Sequence, residues 1–370
     1  SVEVGALEGG NAFLVPRRNM GPIVAVDISS LFNPKGISVQ FSGWRATREI
    51  ETFLRLARVQ SVSDFRDALQ FFDFGSQNWA YADIDGNIAY FTSGELPLRE
   101  DLQSGAVDGL EPWFIRDGTH QDKNEWIPVK DRQPGQALAY EVLPFDEMPQ
   151  VVNPSQGYIA NGNSDPIGVT LDNHVLGNER AGGGILYLNP GYASIRMGRI
   201  SDMIEEIRSQ RKFTLDDLRT MQADNYLLDA AVFLPFIVTA FDDPLDAGTG
   251  ELQELRDDSR IAAAVERLRL WSRRTPTGIQ AGYDPGDDPE NLPSPGSEEV
   301  KDSVAATIYA VWRSRILANT IDSTLQRLGL SGHRPDSERS LSALRHLLDQ
   351  FNSTQGVGAS GVNFFVAEGA

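Results

Sequence analysis

Apolar positions along this chain change their period once, near the middle. Before about residue 200 the pattern is mostly that of strands and turns. Phe13-Leu14-Val15-Pro16 and Ile23-Val24-Ala25-Val26 are short apolar runs split by Arg17-Arg18-Asn19-Met20-Gly21-Pro22. Ile37, Val39 and Phe41 alternate with Ser38 and Gln40, the period of a half-buried strand. Helical spacing intervenes over residues 47–58, where Ile50, Phe53, Leu54 and Leu56 are apolar. Ser61 three positions before Asp64 predicts a capped helix start, with Phe65, Leu69 and Phe72 following. Trp79-Ala80-Tyr81-Ala82 and Ile88-Ala89-Tyr90-Phe91 flank Asp85-Gly86-Asn87, which predicts a hairpin whose glycine takes a positive φ. Residues 95–140, rich in Gly, Pro, Asp and Gln, read as a long loop region with short strands.

After residue 200 the period becomes helical. Residues 200–209 predict a short helix, and Thr214 with Asp217 predicts the start of another. That second helix carries Leu215, Leu218, Met221 and a dense apolar end, Val232-Phe233-Leu234, where Pro235 should kink or stop it. Ile261, Val265, Leu268 and Trp271 form an amphipathic stripe, and residues 274–298 read as a linker or surface loop. A long helix follows with Val300, Val304, Ile308, Val311 and Trp312 on one face, and a last one covers 338–351. The expected class is α+β, with a β-rich part over 1–200 and a mainly helical part over 201–370, rather than alternating βαβ units.

Composition narrows the chemistry. A net charge of −19 disfavours a nucleic-acid or anionic-membrane partner, since a phosphate surface would repel it. No run of about 18 apolar residues exists, so no membrane insertion by a helix is expected. Without cysteine there is no disulfide, thiolate nucleophile or Cys-based zinc site. His120, His174, His333 and His346 are scattered and lack zinc-ligand spacing. Gly356-Val357-Gly358-Ala359-Ser360-Gly361 fits the dinucleotide fingerprint in letters only, because a helix precedes it and a strand-like run follows. Asp83-Ile84-Asp85-Gly86-Asn87 resembles the opening of a calcium loop, but Gly94 stands where the bidentate Glu belongs. What remains for an enzyme is amide, guanidinium and carboxylate chemistry.

The segment richest in such groups runs from Val152 to Pro166. An apolar strand end precedes a polar turn carrying the side-chain amides of Asn161 and Asn163. A carboxamide on a rigid strand end can donate to a developing oxyanion. The plainer alternative is a strand followed by an Asn/Gly turn.

Four strings resemble the β-subunit of the penicillin acylase family, within the N-terminal-nucleophile hydrolase superfamily. They are Gln77 to Asp83 with Gly86 to Tyr90; Leu143-Pro144-Phe145 with Asn153 to Asn163; Asp165 to Asn173 with Gly191 to Ile200; and Val357 to Phe365. The resemblance covers nearly the whole chain and implies part of an αββα sandwich. It implies an amidohydrolase that cleaves the linear amide of small N-acyl substrates, such as β-lactam side chains, through an acyl-enzyme. The nucleophile in this family is a serine at the start of the β-chain, with its own α-amine as base. Carried over, Asn163 is the oxyanion donor, with Asn161 as competitor if the strand continues, and Arg199 supports the amino-terminal nucleophile. Gln77 falls in the acyl pocket, where its polarity points to an acyl group other than a plain aromatic one. No cofactor is required; a structural calcium is implied for some members, with the Pro112 carbonyl and Asp172 near ligand positions. The implied partners are the α-subunit and the remainder of the β-subunit, from one precursor, and the implied compartment is periplasmic or extracellular.

The chain departs from the family at its start. The family nucleophile stands in Ser-Asn-x-Trp, whereas here Ser1 is followed by Val2, Glu3 and Val4. The chain is therefore read as an internal fragment whose nucleophilic serine lies elsewhere, so that alone it is expected to be inactive. The alternative from another class is a non-catalytic binding or scaffold homologue that retains the fold.

Overall fold

Every β-strand among the described residues ends by Val152, and every helix longer than eight residues starts at Ile195 or later. The computed structural model describes residues 2–5, 13–18, 21–27, 35–44, 46–119, 121–172, 174–192, 195–242, 250–276, 288, 290–291 and 294–366. It divides into two units, residues 1–192 and 193–370.

In the first unit, β1 (Val2–Gly5), β2 (Phe13–Arg18), β3 (Gly21–Asp27) and β4 (Lys35–Ser38) form an antiparallel sheet in chain order. The helices α1 (Glu49–Leu56) and α2 (Val62–Leu69) follow. Ser61 caps α2 as its spacing predicts, its hydroxyl accepting the Asp64 N–H at 3.1 Å. The predicted hairpin is β5 (Gln77–Ala82) with β6 (Ile88–Ser93), and β7 (Gln150–Val152) adds to it. Its turn is held by the Asp83 carboxylate, which accepts the N–H groups of Asp85 and Asn87 at 3.0 and 2.8 Å, and Gly86 takes φ +87°. Asp83 is thus committed to the turn and not to a cation. One face of the hairpin carries Ala89 and Phe91, which pack with Leu69, Phe65 and Trp79 into the core of this unit. Burying Phe91 and Leu69 contributes about 2–3 kcal/mol each.

Residues 95–192 hold few regular elements, as their Gly and Pro content predicts. The short helices α3 (Glu100–Gln103) and α4 (Val169–Asp172) are joined by isolated bridges such as Arg99 with Trp126. The Gly356–Gly361 run, far along the second unit, forms a turn closed by a bridge between Val357 and Asn363, not a strand-to-helix crossover.

The second unit is helical: α5 (Ile195–Gln210), α6 (Leu215–Gln222), α7 (Leu228–Asp242), α8 (Gly250–Asp257), α9 (Ser259–Leu270), α10 (Ser297–Leu317), α11 (Ser323–Arg327), α12 (Ser337–Asp349) and α13 (Phe351–Thr354). Thr214 and Asp217 form the predicted capping box of α6. The core gathers Ala230, Phe233 and Leu234 of α7 with Leu268 of α9, Trp271, Tyr309 of α10 and Leu344 of α12. Much of the predicted linker 274–298 lies outside the described residues.

Two expectations are corrected here. The stretch from Thr214 to Leu234 is two helices, not one, and Pro235 does not end the second. Between α6 and α7 the backbone pairs sideways instead: Leu227 donates to the Arg273 carbonyl at 2.8 Å, and Thr275 donates to the Asn225 carbonyl at 3.0 Å. Pro235 is exposed while its neighbours Phe233 and Leu234 are buried. Its ring therefore sits on the wet side of α7, where water can serve the carbonyl that loses its partner.

The second correction concerns α10. Ile308 and Trp312 of the predicted stripe pack against the core, but Val300, Val304 and Val311 are exposed, and the residues the helix buries fully are Ala305 and Tyr309. The Tyr309 hydroxyl donates to Asp229 of α7 at 3.1 Å, and Arg313 donates to the same carboxylate at 2.9 Å. Asp229 is only 4% exposed, so its charge must be met where it lies, and this fixes the rotation of α10 over any aliphatic preference. Burial, then the neighbouring Asp229 charge, pushes the Tyr309 hydroxyl well above its ordinary pKa.

Tyr309→Phe is expected to lower stability by about 1–2 kcal/mol in urea unfolding, whereas Val311→Ser changes it by less than about 0.5 kcal/mol. Pro235→Ala is expected to raise the urea midpoint, adding about 1–3 kcal/mol by restoring a helical hydrogen bond at an exposed position.

Candidate functional site

The Val152–Pro166 segment is not a strand leading into a turn. Strand β7 ends at Val152, and Asn153 turns the chain at φ +48°. Asn153 closes onto the hairpin: its amide oxygen accepts the Ile88 N–H at 3.0 Å, and its amide nitrogen donates to Asn87 at 2.9 Å. The premise that Asn161 and Asn163 share the face of a continuing strand is thereby corrected.

Asn161 and Asn163 have different local roles. The Asn161 side-chain oxygen accepts the Asn163 N–H at 2.9 Å, an Asx turn that holds Asn163 in the left-handed region at φ +56°. Asn163 itself is exposed. Downstream, Asp165 organises the start of α4, accepting the N–H groups of Ile167 and Gly168 at 3.0 Å and of Thr170 at 2.7 Å. The backbone on both sides of Asn163 is therefore fixed by side chains a few residues away.

Arg199 lies on α5 in the second unit. Its Nε and Nη2 fork onto Asp224 at 2.7 and 2.9 Å, and its guanidinium lies 4.5 Å from the centre of the Tyr226 ring. Arg274 also reaches Asp224, at 3.3 Å. The Asp224 hydrogen bond holds the Arg199 guanidinium above its ordinary pKa, and burial opposes this. For Asp224, burial would raise the pKa, but the Arg199 hydrogen bond and charge, with that of Arg274, leave it below the usual carboxylate value. Arg199, Asp224 and Tyr226 line a cavity of ≈ 370 Å³, together with Ile195, Met203 and Met221. Asp224 and Tyr226 had no sequence signal, being 25 or more positions from Arg199 with no motif to join them.

The remaining candidates are separate. Gln77 opens β5 and is exposed, its amide donating to the Gly75 carbonyl at 3.0 Å. Asp172 ends α4, is exposed, and accepts the His174 N–H at 2.8 Å. Pro112 lines a different pocket, whose polar wall carries the guanidinium groups of Arg99 and Arg116, a setting that disfavours a divalent cation. No three His, Asp or Glu side chains gather as metal ligands among the described residues. His120 lies outside the described residues, and among them no helix is long and apolar enough to cross a membrane.

The Arg199–Asp224 pair gives stability a sign with pH. The folded pKa of Asp224 lies below its ordinary 3.8, so the pair stabilises fully above that value and is lost as pH falls through the lowered pKa. Asp224→Asn is expected to cost about 1–3 kcal/mol at about pH 6, with the gap to the native chain narrowing in urea titrations as pH falls below the ordinary carboxylate range. A gap that stays constant over that range removes the pair from the acid limb.

A model of the family described as penicillin amidase matches residues 3–365. Over 89 residues, 24% of this chain and 8% of the relative, the chain is 38% identical to penicillin G acylase of Escherichia coli. A solved structure, thermostable penicillin G acylase from Alcaligenes faecalis in orthorhombic form, is 17% identical with a TM-score of 0.44, covering 90% of this chain and 61% of that one. The chain therefore spans less than two thirds of the relatives it matches. On the match of nearly its whole length, it belongs to the penicillin amidase family.

Proposed function

We propose that this chain is the central part of an amidohydrolase of the penicillin acylase type, acting on the linear amide of small N-acyl compounds such as β-lactam amides or acyl-homoserine lactones. The observation that carries this reading is the family match over residues 3–365. In this reading the chain is one piece of an αββα sandwich completed by the α-subunit and the rest of the β-subunit, in a periplasmic or extracellular enzyme.

The mechanism assigns each group one task. A serine hydroxyl, activated by its own α-amine, attacks the amide carbonyl carbon, and the carbonyl oxygen takes the negative charge. The Asn163 side-chain N–H donates to that oxyanion; a neutral amide does so without removing the charge that drives collapse. The choice of Asn163 over Asn161 rests on the family resemblance; the Asn161 oxygen accepts the Asn163 N–H and so sets the Asn163 backbone. Collapse expels the amine and leaves an acyl-serine, which water hydrolyses. Arg199 keeps the neighbouring α-amine neutral by its positive charge. Its fork on Asp224 uses the Nε and Nη2 edge and fixes the orientation of the guanidinium. In this reading the serine belongs to the remainder of the β-subunit. A calcium ion on Pro112 and Asp172 would draw its other ligands from elsewhere, and no step here uses one.

The 370-residue chain is expected to show no turnover of a chromogenic phenylacetyl amide. Turnover that disappears in Ser1→Ala would overturn the placement of the nucleophile. In the complete processed enzyme, Asn163→Ala is expected to lower kcat by about two orders of magnitude or more with little change in KM. An unchanged kcat takes the oxyanion role away from Asn163. A complete protein that lacks Ser-Asn-x-Trp at its processing junction and turns over no N-acyl substrate supports the scaffold alternative.

A further inference from the structure

The pocket of ≈ 350 Å³ in the first unit is not used by the hydrolytic reading. Its apolar wall includes Ile37, Pro112 and Trp126, and its polar lining includes Arg99, Arg116 and Asn124 beside Ser38 and Gln40. Backbone pairing sets this wall. Arg99 and Trp126 face each other across an antiparallel bridge, with Glu100 donating to the Glu125 carbonyl and Ile127 to the Leu98 carbonyl, both at 3.0 Å.

Three polar side chains there have unmet capacity. Arg99 makes no ion pair or hydrogen bond among the described residues, and its guanidinium rests 5.4 Å from the centre of the Tyr187 ring. Its burial pushes its pKa below the ordinary value. The Arg116 side chain is 10% exposed. It spends Nη2 on Asp101 and the Asp108 carbonyl, while Nε and Nη1 are buried without a partner. Asn124 is 5% exposed, and neither its amide oxygen nor its amide nitrogen has a partner.

These groups specify a ligand by subtraction. Arg116 is paired with Asp101 while Arg99 has no ion-pair partner among the described residues, so the wall carries an excess positive charge that an anion would neutralise. A guanidinium presents paired N–H groups in the geometry of a carboxylate. A buried amide with both ends unmet calls for a ligand that can donate and accept at once. The apolar wall takes a hydrocarbon body, and the volume is that of a small-molecule site. We propose that this pocket binds a small organic carboxylate carrying an amide beside an apolar body, an N-acylated amino acid being the simplest case. The carboxylate lies on Arg99 and the open edge of Arg116, the amide on Asn124, and the apolar body against Ile37, Pro112 and Trp126.

Calorimetric titration of the 370-residue chain tests this with three probes. N-acetyl-phenylalanine carries all three features, its carboxamide lacks the carboxylate, and hydrocinnamate lacks the amide. N-acetyl-phenylalanine is expected to bind saturably, and the carboxamide at least about tenfold more weakly. Arg99→Met is expected to weaken N-acetyl-phenylalanine by at least about tenfold without lowering Tm, because it removes a half-buried cation that has no ion-pair partner. Asn124→Leu, a near-isosteric exchange of an unmet amide, is expected to abolish the preference for N-acetyl-phenylalanine over hydrocinnamate. Absence of saturable binding, equal binding of the carboxamide, or an unchanged Kd in Arg99→Met overturns the proposal. A Tm drop in Arg99→Met with binding intact in Asn124→Leu also overturns it, since the wall then serves the fold alone. No hydrolysis is read in these titrations, so their failure leaves the hydrolase reading untouched.

Discussion

A carboxylate taken out of water must meet a cation or several N–H groups, and this requirement recurs in both units, on helices as well as between them. Asp229 is met by Tyr309 and Arg313, and α10 turns to make that contact. Asp224 is met by Arg199 and Arg274. Asp101 is met by Arg116, and Glu147 by Arg180 at 2.9 Å with both partners largely buried. Leaving any of these anions alone would cost several kcal/mol, more than a typical aliphatic contact returns. The chain is strongly acidic, with 52 Asp and Glu against 33 Lys and Arg. Several of its scarcer cations are accordingly spent on these desolvated anions.

This constraint explains which features were legible in the sequence. Local contacts were. Ser61 with Asp64 and Thr214 with Asp217 each sit three residues apart, and each caps a helix. The hairpin was legible because Trp79, Tyr81, Ala89 and Phe91 alternate around Asp85-Gly86. The rotation of α10 was not, because it depends on Asp229, 80 positions before Tyr309. The break between α6 and α7 was likewise invisible, since Leu227 and Asn225 bond to residues after α9. A pattern of apolar letters reports burial along one element, and it is blind to a polar contact that another element demands.

The candidate hydrolytic residues show the same division. The strings around Asn163 were distinctive enough to point to the family, yet the conformation that presents its amide is not the strand that its apolar flank implied. It is an Asx turn closed by Asn161 and followed by the Asp165 cap. This geometry separates two amides that the sequence left equivalent. For Arg199 the sequence offered an identity, and the structure adds its support. A long arginine side chain loses rotamer entropy when it is held, but the bidentate Asp224 fork and the Tyr226 ring confine it before any substrate arrives. Asp224 lowers the net charge of the pair, so its field falls off over a shorter range than that of an unpaired guanidinium.

Local and global charge have opposite signs at the pocket bounded by Arg99, Arg116 and Asn124, and distance decides which governs. At physiological salt the far field of the net −19 is screened over about 8 Å, so it acts on the approach of an anion more than on its final contacts. Inside the pocket, low-polarity walls reduce screening, and the partnerless Arg99 dominates. The same reasoning sets the pocket apart from a cation site that a family comparison would place at Pro112. The carbonyl is the right hard ligand for calcium, but its polar neighbours on this wall are guanidinium groups, and a divalent cation would have to bring in several carboxylates to offset them. A sign of charge is a property of the wall as a whole, and at this wall it favours an anion.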